Sequence, residues 1–381
     1  MQRYKHIFMY GFAIFAMFFG SGNLVFPLQI GQNSGNQWML GFLGLFLTGI
    51  LLPFLGLFVI NLYRGCYETF FAQAGPVARL VLPLFTLSLL GSFGVVPRCI
   101  TVAYGGIGPL SPSISLEAFS LGFCIICYLI CLKDQIMISV VGKWMTPILL
   151  TSLAILIVLG IIQAPPMENM TTQPEVAFSM GFLKGYHTMD LFASFFFSAL
   201  IFRQIQDSIP NKEDHMVVLK SALQPSIMGA CLLAAIYFGF SFLGAYYTDI
   251  TSNSAPECIL PAIATHIMGQ KAALIIGIIM IFSCLTTGVA LNNIYARYLC
   301  SLLKLSNSSF PFVLLCTTSI SYLISLLDFQ GIATFLTPVL QVSYPSLILL
   351  TFLSIFLKGF ERLKMVSFYG VLAYMLYYLY I

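Results

Sequence analysis

Apolar runs of about membrane-crossing length follow one another along almost the whole chain, separated by short polar connections. A helix needs about 20 mostly apolar residues to cross the hydrocarbon core of a bilayer. Eleven runs reach or approach that length: 7–30, 38–62, 78–104, 115–132, 143–163, 181–203, 218–246, 272–300, 309–327, 331–357 and 365–381. The last is short and reaches the C-terminus. The pattern predicts an all-α membrane protein of about eleven transmembrane helices. No linker or soluble insertion breaks it, so a single membrane domain is expected.

Composition points the same way. The chain is 59% hydrophobic and only 8% charged, whereas a soluble domain needs about 25% charged residues to present a wet surface. Lipid is therefore the solvent for most of its surface. The placement of cations adds an orientation. With the N-terminus cytoplasmic, every Lys and Arg except Arg98, Lys184 and Lys271 falls in the N-terminal tail or in the connections after even-numbered spans, Lys133, Lys212 and Lys358 among them. Connections 31–37, 105–114 and 164–180 carry neither residue type. That is the positive-inside pattern of a multi-pass protein in a plasma (inner) membrane. Arg3 and Lys5 ahead of the apolar stretch 7–19 resemble the start of a signal peptide, but no A-x-A site follows, and retention as the first span is expected. Cys124, Cys127 and Cys131 sit in one apolar run without His or acid nearby, which favours buried small hydrophobes over metal ligands.

Backbone groups in a membrane are free to bind a ligand only where a helix is interrupted. The first span carries such an interruption at Gly20-Ser21-Gly22-Asn23, followed by Pro27. Small residues there would also suit close helix packing, but a packing notch needs neither Asn23 nor Pro27, so an unwound, ligand-facing segment is favoured. The sixth span carries Gly185-Tyr186-His187-Thr188-Met189-Asp190. Either it is broken there, with Asp190 capping a second half-helix, or an ordinary span starts at Thr188. Interruptions in spans one and six mark the first members of two blocks of five, as in a five-plus-five inverted repeat: 1–163, then 164–357, with 358–381 as an extra helix. In the eighth span Ser283, Thr286 and Thr287 share a helix face. Their hydroxyls are hard ligands for an alkali cation, or else bond back to their own helix. Arg98 lies near mid-membrane in the third span, where a charge faces a cavity or a partner; Asp190 is the acid available to it. Pro338 and Pro345 interrupt the tenth span, as a hinge or as a tolerated kink.

The segments FFGSGNLVFP (18–27), VVPRCITVAY (95–104), GFLKGYHTMD (181–190), SCLTTGVAL (283–291) and PVLQVSYP (338–345) together resemble the branched-chain amino acid:cation symporter family (LIVCS, BrnQ-type), within the LeuT-type fold. The resemblance runs from about Gly11 to Leu357. It implies alternating-access import of Leu, Ile and Val with a coupling cation, Na+ favoured over H+, and no other cofactor. By the same resemblance the amides of Gly20, Ser21 and Gly22 would hold the substrate carboxylate, and Phe26, Tyr186, Thr188, Met189 and Asp190 would meet the rest of the substrate. One cation would lie near Asn23. A second would take carbonyls of Ala16, Phe19 and Ser283 and the hydroxyls of Thr286 and Thr287. The chain departs from the family in having Gly105-Gly106 after Tyr104, where an acid is usual, and in ending after eleven spans instead of twelve. A pocket shaped for leucine would also admit methionine. Neither a repeated filter nor a ring of like charges suggests a channel. The chain holds no H-E-x-x-H and no G-x-S-x-G, so no enzyme is expected. The partners implied are a small apolar amino acid, the cation and the bilayer; nucleic acid is not among them, and the oligomeric state is left open.

Overall fold

The computed structural model describes residues 2–107, 113–132, 136–167, 172–208, 215–357 and 359–380. The expected placements of Lys133, Lys212 and Lys358, and of residues 108–112 and 168–171 in the cation-free connections, lie outside them. Among the described residues all regular structure is helical.

The first span is two helices, α1 (Gln2–Phe18) and α2 (Ser21–Ser34). The second runs through α3 (Trp38–Leu45), a π-helical turn at Phe46–Leu51, and α4 (Leu52–Leu62). A short helix, α5 (Tyr67–Phe71), leads to α6 (Pro76–Leu90) and α7 (Val95–Ile107). These two make up the third span, which the apolar pattern presents as continuous but which is interrupted at Gly91-Ser92-Phe93-Gly94. The fourth and fifth spans are α8 (Leu116–Leu132) and α9 (Ile136–Ile162), and the sixth is again double, α10 (Pro174–Thr188) and α11 (Asp190–Ser208). Because α10 already starts at Pro174, the alternative of an ordinary span beginning at Thr188 is excluded. The seventh span is α12 (His215–Tyr246), followed by α13 (Thr248–Thr251) and α14 (Ile259–Met268) in the connection. Spans eight to eleven are α15 (Gln270–Leu302), α16 (Phe310–Ser325), α17 (Asp328–Phe356) and α18 (Glu361–Tyr380).

Several of these helices are long and apolar enough to cross a membrane, including Gln270–Leu302 and Asp328–Phe356. The surface agrees: Ile162, Phe312 and Phe356 are 73%, 69% and 74% exposed, as suits side chains that face lipid and not water. Pro338 and Pro345 lie inside α17 without breaking it, so the tenth span is not interrupted. Transmembrane helices tolerate proline where neighbours and hydroxyl groups take up the freed backbone groups. Cys124 and Cys131 are buried and donate to the carbonyls of Thr318 and Val289, the behaviour of small buried side chains in a packed bundle.

The strongest packing pairs α2 with α12, α10 with α3, α1 with α12, α7 with α15, α11 with α4, and α17 with α18. In spans, the first lies on the seventh, the sixth on the second, and the third on the eighth. Small residues bring the backbones together: a Cβ on Gly181 would run into the carbonyl of Gly41, and one on Gly244 into that of Leu28. Such close approach replaces the missing hydrophobic drive between helices in lipid.

Candidate functional site

Both breaks have a local cause. Gly20 is extended (φ −121°, ψ −158°) and stops α1 from running into α2; its N–H donates to Asn23 Oδ1 at 3.0 Å. That bond caps α2 and leaves the amides of its first turn pointing out of the helix end. In the sixth span the turn is made by Met189, a non-glycine residue in the left-handed region (φ 60°, ψ 16°). Such a conformation costs about 1–2 kcal/mol, so something must hold it. Arg98 does: its guanidinium donates to the His187 carbonyl at 2.5 Å and to Met189 Sδ at 3.1 Å. Arg98 is completely buried, and its charge stands at the C-terminal end of α10, where the helix dipole is negative. The pairing of Arg98 with Asp190 expected above is not made. The arginine instead serves the backbone that the break sets free.

Asp190 joins the two breaks. Its Oδ2 accepts from Asn23 Nδ2 at 2.8 Å and from the Tyr237 hydroxyl at 3.3 Å, and Asn23 Nδ2 also donates to the Tyr237 hydroxyl. The carboxylate sits at the start of α11, where the dipole favours an anion. The Thr188 hydroxyl donates to the Gly185 carbonyl at 2.9 Å and accepts from the Asp190 amide at 3.4 Å. Gly22 permits the contact between breaks, since a Cβ there would stand 3.2 Å from Thr188 Cα. Tyr237 was not among the expected site residues; its one signal in the sequence is a hydroxyl-bearing ring in the middle of an apolar run.

The eighth span closes the third side. Ser283 Oγ donates to the Phe19 carbonyl at 3.2 Å, tying α15 to the last residue before the first break. Thr287 is buried with its Oγ1 unpartnered, beside Gly20, whose added Cβ would come within 3.0 Å of Thr287 Cγ2. An unmade hydrogen bond at a buried hydroxyl costs about 1–3 kcal/mol, and a cation is a natural partner for that oxygen. Thr286 differs: its hydroxyl bonds back to the Ser283 carbonyl at 2.8 Å, the local alternative open to it from the sequence.

Between these elements lies a cavity of about 10 Å³ lined by Gly20, Ser21, Gly22, Asn23, Thr188, Met189, Asp190 and Thr287. That is room for about one water and for nothing the size of an amino acid while the helices stay together. Leu90 and Val95, which flank the break in the third span, line it as well, with Ala193, Phe197 and Leu291 completing an apolar wall. Phe26 and Tyr186 do not. Phe26 lies between the cations of Arg98 and Lys184, 5.6 and 5.7 Å from its ring centre, and Tyr186 stacks on Tyr344 at 4.6 Å. Ala16 stands half-buried in the last turn before the break.

Broken helices meeting at a small polar centre inside a bundle define the class of fold, the LeuT type. Solved structures agree on the fold. A Na+-coupled sialic acid symporter superposes with TM-score 0.62 at 13% identity, covering 96% of this chain and 88% of that one. A nucleobase-cation-symport-1 family transporter, closed with bromovinylhydantoin bound, gives TM-score 0.65 at 14% identity, covering 97% and 91%. The chain belongs to the branched-chain amino acid transport protein family, which it matches over residues 3–380. It is 29% identical over 374 residues to the branched-chain amino acid permease BrnQ of Bacillus subtilis, covering 93% of this chain and 82% of the permease. It is 27% identical to the permease of the same name from Corynebacterium glutamicum, covering 96% and 84%.

Proposed function

We propose that this protein imports Leu, Ile and Val by alternating access, driven by Na+, with its N-terminus in the cytoplasm. The observation that carries the reading is the junction of the two breaks, with Asn23, Asp190 and Tyr237 bonded to one another beside the buried first turn of α2. A zwitterion enters a dry site only if both its charges are met. The Ser21 and Gly22 amides, brought close by Gly20, serve the carboxylate. Asp190 and the carbonyl end of α10 near Thr188 serve the ammonium. The aliphatic side chain rests on Met189 and the wall from Leu90 to Leu291, with Phe26 and Tyr186 closing over it from outside.

Na+ is favoured by the oxygen set at the first break: carbonyls of Ala16, Phe19 and Ser283 with the Thr287 hydroxyl, and Thr286 once its bond to Ser283 turns outward. Asn23 is the oxygen donor nearest the substrate for a second cation. A proton is the second reading, favoured by the enclosed Asp190 carboxylate. The five-plus-five repeat is supported by the packing: shifting every span by five exchanges the first-on-seventh pair with the sixth-on-second pair and leaves the third-on-eighth pair in place. A pseudo-two-fold axis through the two breaks would produce that exchange.

The test is uptake of radiolabelled leucine into proteoliposomes under an imposed Na+ gradient and, separately, a pH gradient. Valine, isoleucine and methionine are added as competitors. Concentrative uptake driven by Na+ and blocked by valine and isoleucine supports the proposal. Uptake driven by pH alone moves the coupling to Asp190, and preferential block by methionine moves the substrate.

A further inference from the structure

A much larger cavity than the one at the two breaks lies away from them. It is a groove of about 450 Å³ between the span holding the π-helical turn and α12, running from Phe46 to Asn61 on one wall and from Leu219 to Ala234 on the other. Its lips, Leu51, Leu223 and Ile227, are exposed side chains on the face of the bundle. Its lining is almost wholly aliphatic and aromatic, and the two polar residues in it are already engaged. Asn61 Oδ1 accepts from the Ser198 hydroxyl at 3.0 Å, and the Ser226 hydroxyl donates to the Ala222 carbonyl at 2.8 Å. Nothing in the groove calls for water or for a polar ligand.

Length and charge identify the occupant. Fifteen residues of helix separate Leu219 from Ala234, a rise of about 22 Å. One leaflet of hydrocarbon is about 15 Å deep, so the groove takes the full length of a single lipid tail. One end is cationic. Arg64 stands three residues beyond Asn61, and Lys220 sits next to Leu219, both exposed; the other end, at Phe46 and Ala234, carries no charge. We propose that this groove holds one acyl chain of an anionic phospholipid, its headgroup at the Arg64 and Lys220 end. Both walls also touch the transport machinery, since α4 packs on α11 and α12 carries Tyr237 one turn beyond Ala234. The bound tail is thus a wedge between two helices that must separate from their neighbours when the site opens.

The test uses the full chain in nanodiscs of phosphatidylethanolamine with or without phosphatidylglycerol. Lipid retained after mild detergent extraction is weighed by native mass spectrometry. Labelling of Cys231, an exposed free thiol in the groove wall, by an apolar maleimide is followed in parallel by peptide mass. One phosphatidylglycerol is expected to stay bound and to slow Cys231 labelling. Ala230→Trp, which fills the groove, removes both effects. Arg64→Gln and Lys220→Gln each reduce the preference for phosphatidylglycerol over phosphatidylethanolamine about fivefold, and they remain informative if the tryptophan variant fails to fold. Equal retention of both lipids, Cys231 labelling indifferent to phosphatidylglycerol, or a second protein chain bound in place of lipid would each overturn the proposal.

Discussion

The sixth and tenth spans teach opposite lessons about helix breakers. The tenth holds two prolines and remains one helix from Asp328 to Phe356. The sixth is cut at Met189, with neither glycine nor proline at the cut. What separates them is the company each keeps. At Met189 a buried guanidinium donates to the freed carbonyl of His187, and Asp190 accepts from Asn23 and Tyr237. A break in lipid persists where partners satisfy the groups it releases, whatever residue stands at the cut.

Removing those partners should undo the difference, starting with Asp190. Asp190→Ala removes the acceptor of the buried Tyr237 hydroxyl and one of the two acceptors of Asn23 Nδ2, at about 1–3 kcal/mol for an unmade bond. Leucine uptake is expected to fall by about 100-fold, together with thermal stability in detergent; uptake within about threefold of the parent would mean that the junction is not the site. Arg98→Met keeps bulk but removes both guanidinium bonds to the Met189 turn. An unfolding midpoint lowered by the equivalent of about 2 kcal/mol and a comparable loss of transport are expected, with Arg98→Lys partly restoring both. An unchanged midpoint would show that the turn holds itself.

The two threonines of α15 offer a finer contrast. Thr287→Ala should raise the Na+ concentration for half-maximal uptake about tenfold, since a hydroxyl ligand to a charge is worth about 1.5–3 kcal/mol. Thr286→Ala, whose hydroxyl is spent on its own helix, should raise it less than about threefold on the same scale. Equal shifts would mean that both hydroxyls turn to the cation. The smallest effect belongs to the tenth span, where Pro338→Ala should change uptake by less than about twofold, because α17 is continuous with the proline in place. A large loss there would make Pro338 a hinge after all.

Membrane character, the family and the first break were legible in the sequence, because each rests on a local signal: long apolar runs, or Gly20, Gly22 and Asn23 in a row. Span six was readable in place but not in extent, since Glu175 and Lys184 dilute the apolar signal of α10. The break in span three went unread because Gly91-Ser92-Phe93-Gly94 interrupts the helix without interrupting its hydropathy. Tyr237 and the true partner of Arg98 were beyond reach for a different reason. Both depend on contacts between residues far apart in the chain, and no spacing along one helix encodes them.

The π-helical turn at Phe46–Leu51 has a geometric consequence of its own. One extra residue in a helix of 3.6 per turn rotates everything beyond it by about 100°. The turn sits where the second span passes from packing on α10, through α3, to packing on α11, through α4. Deleting any single residue from 46–51 would restore a regular helix and swing Gly56 away from its seat against Ser194. That segment should consequently accept substitutions far more readily than a change in length, as a gear accepts a new tooth but not a missing one.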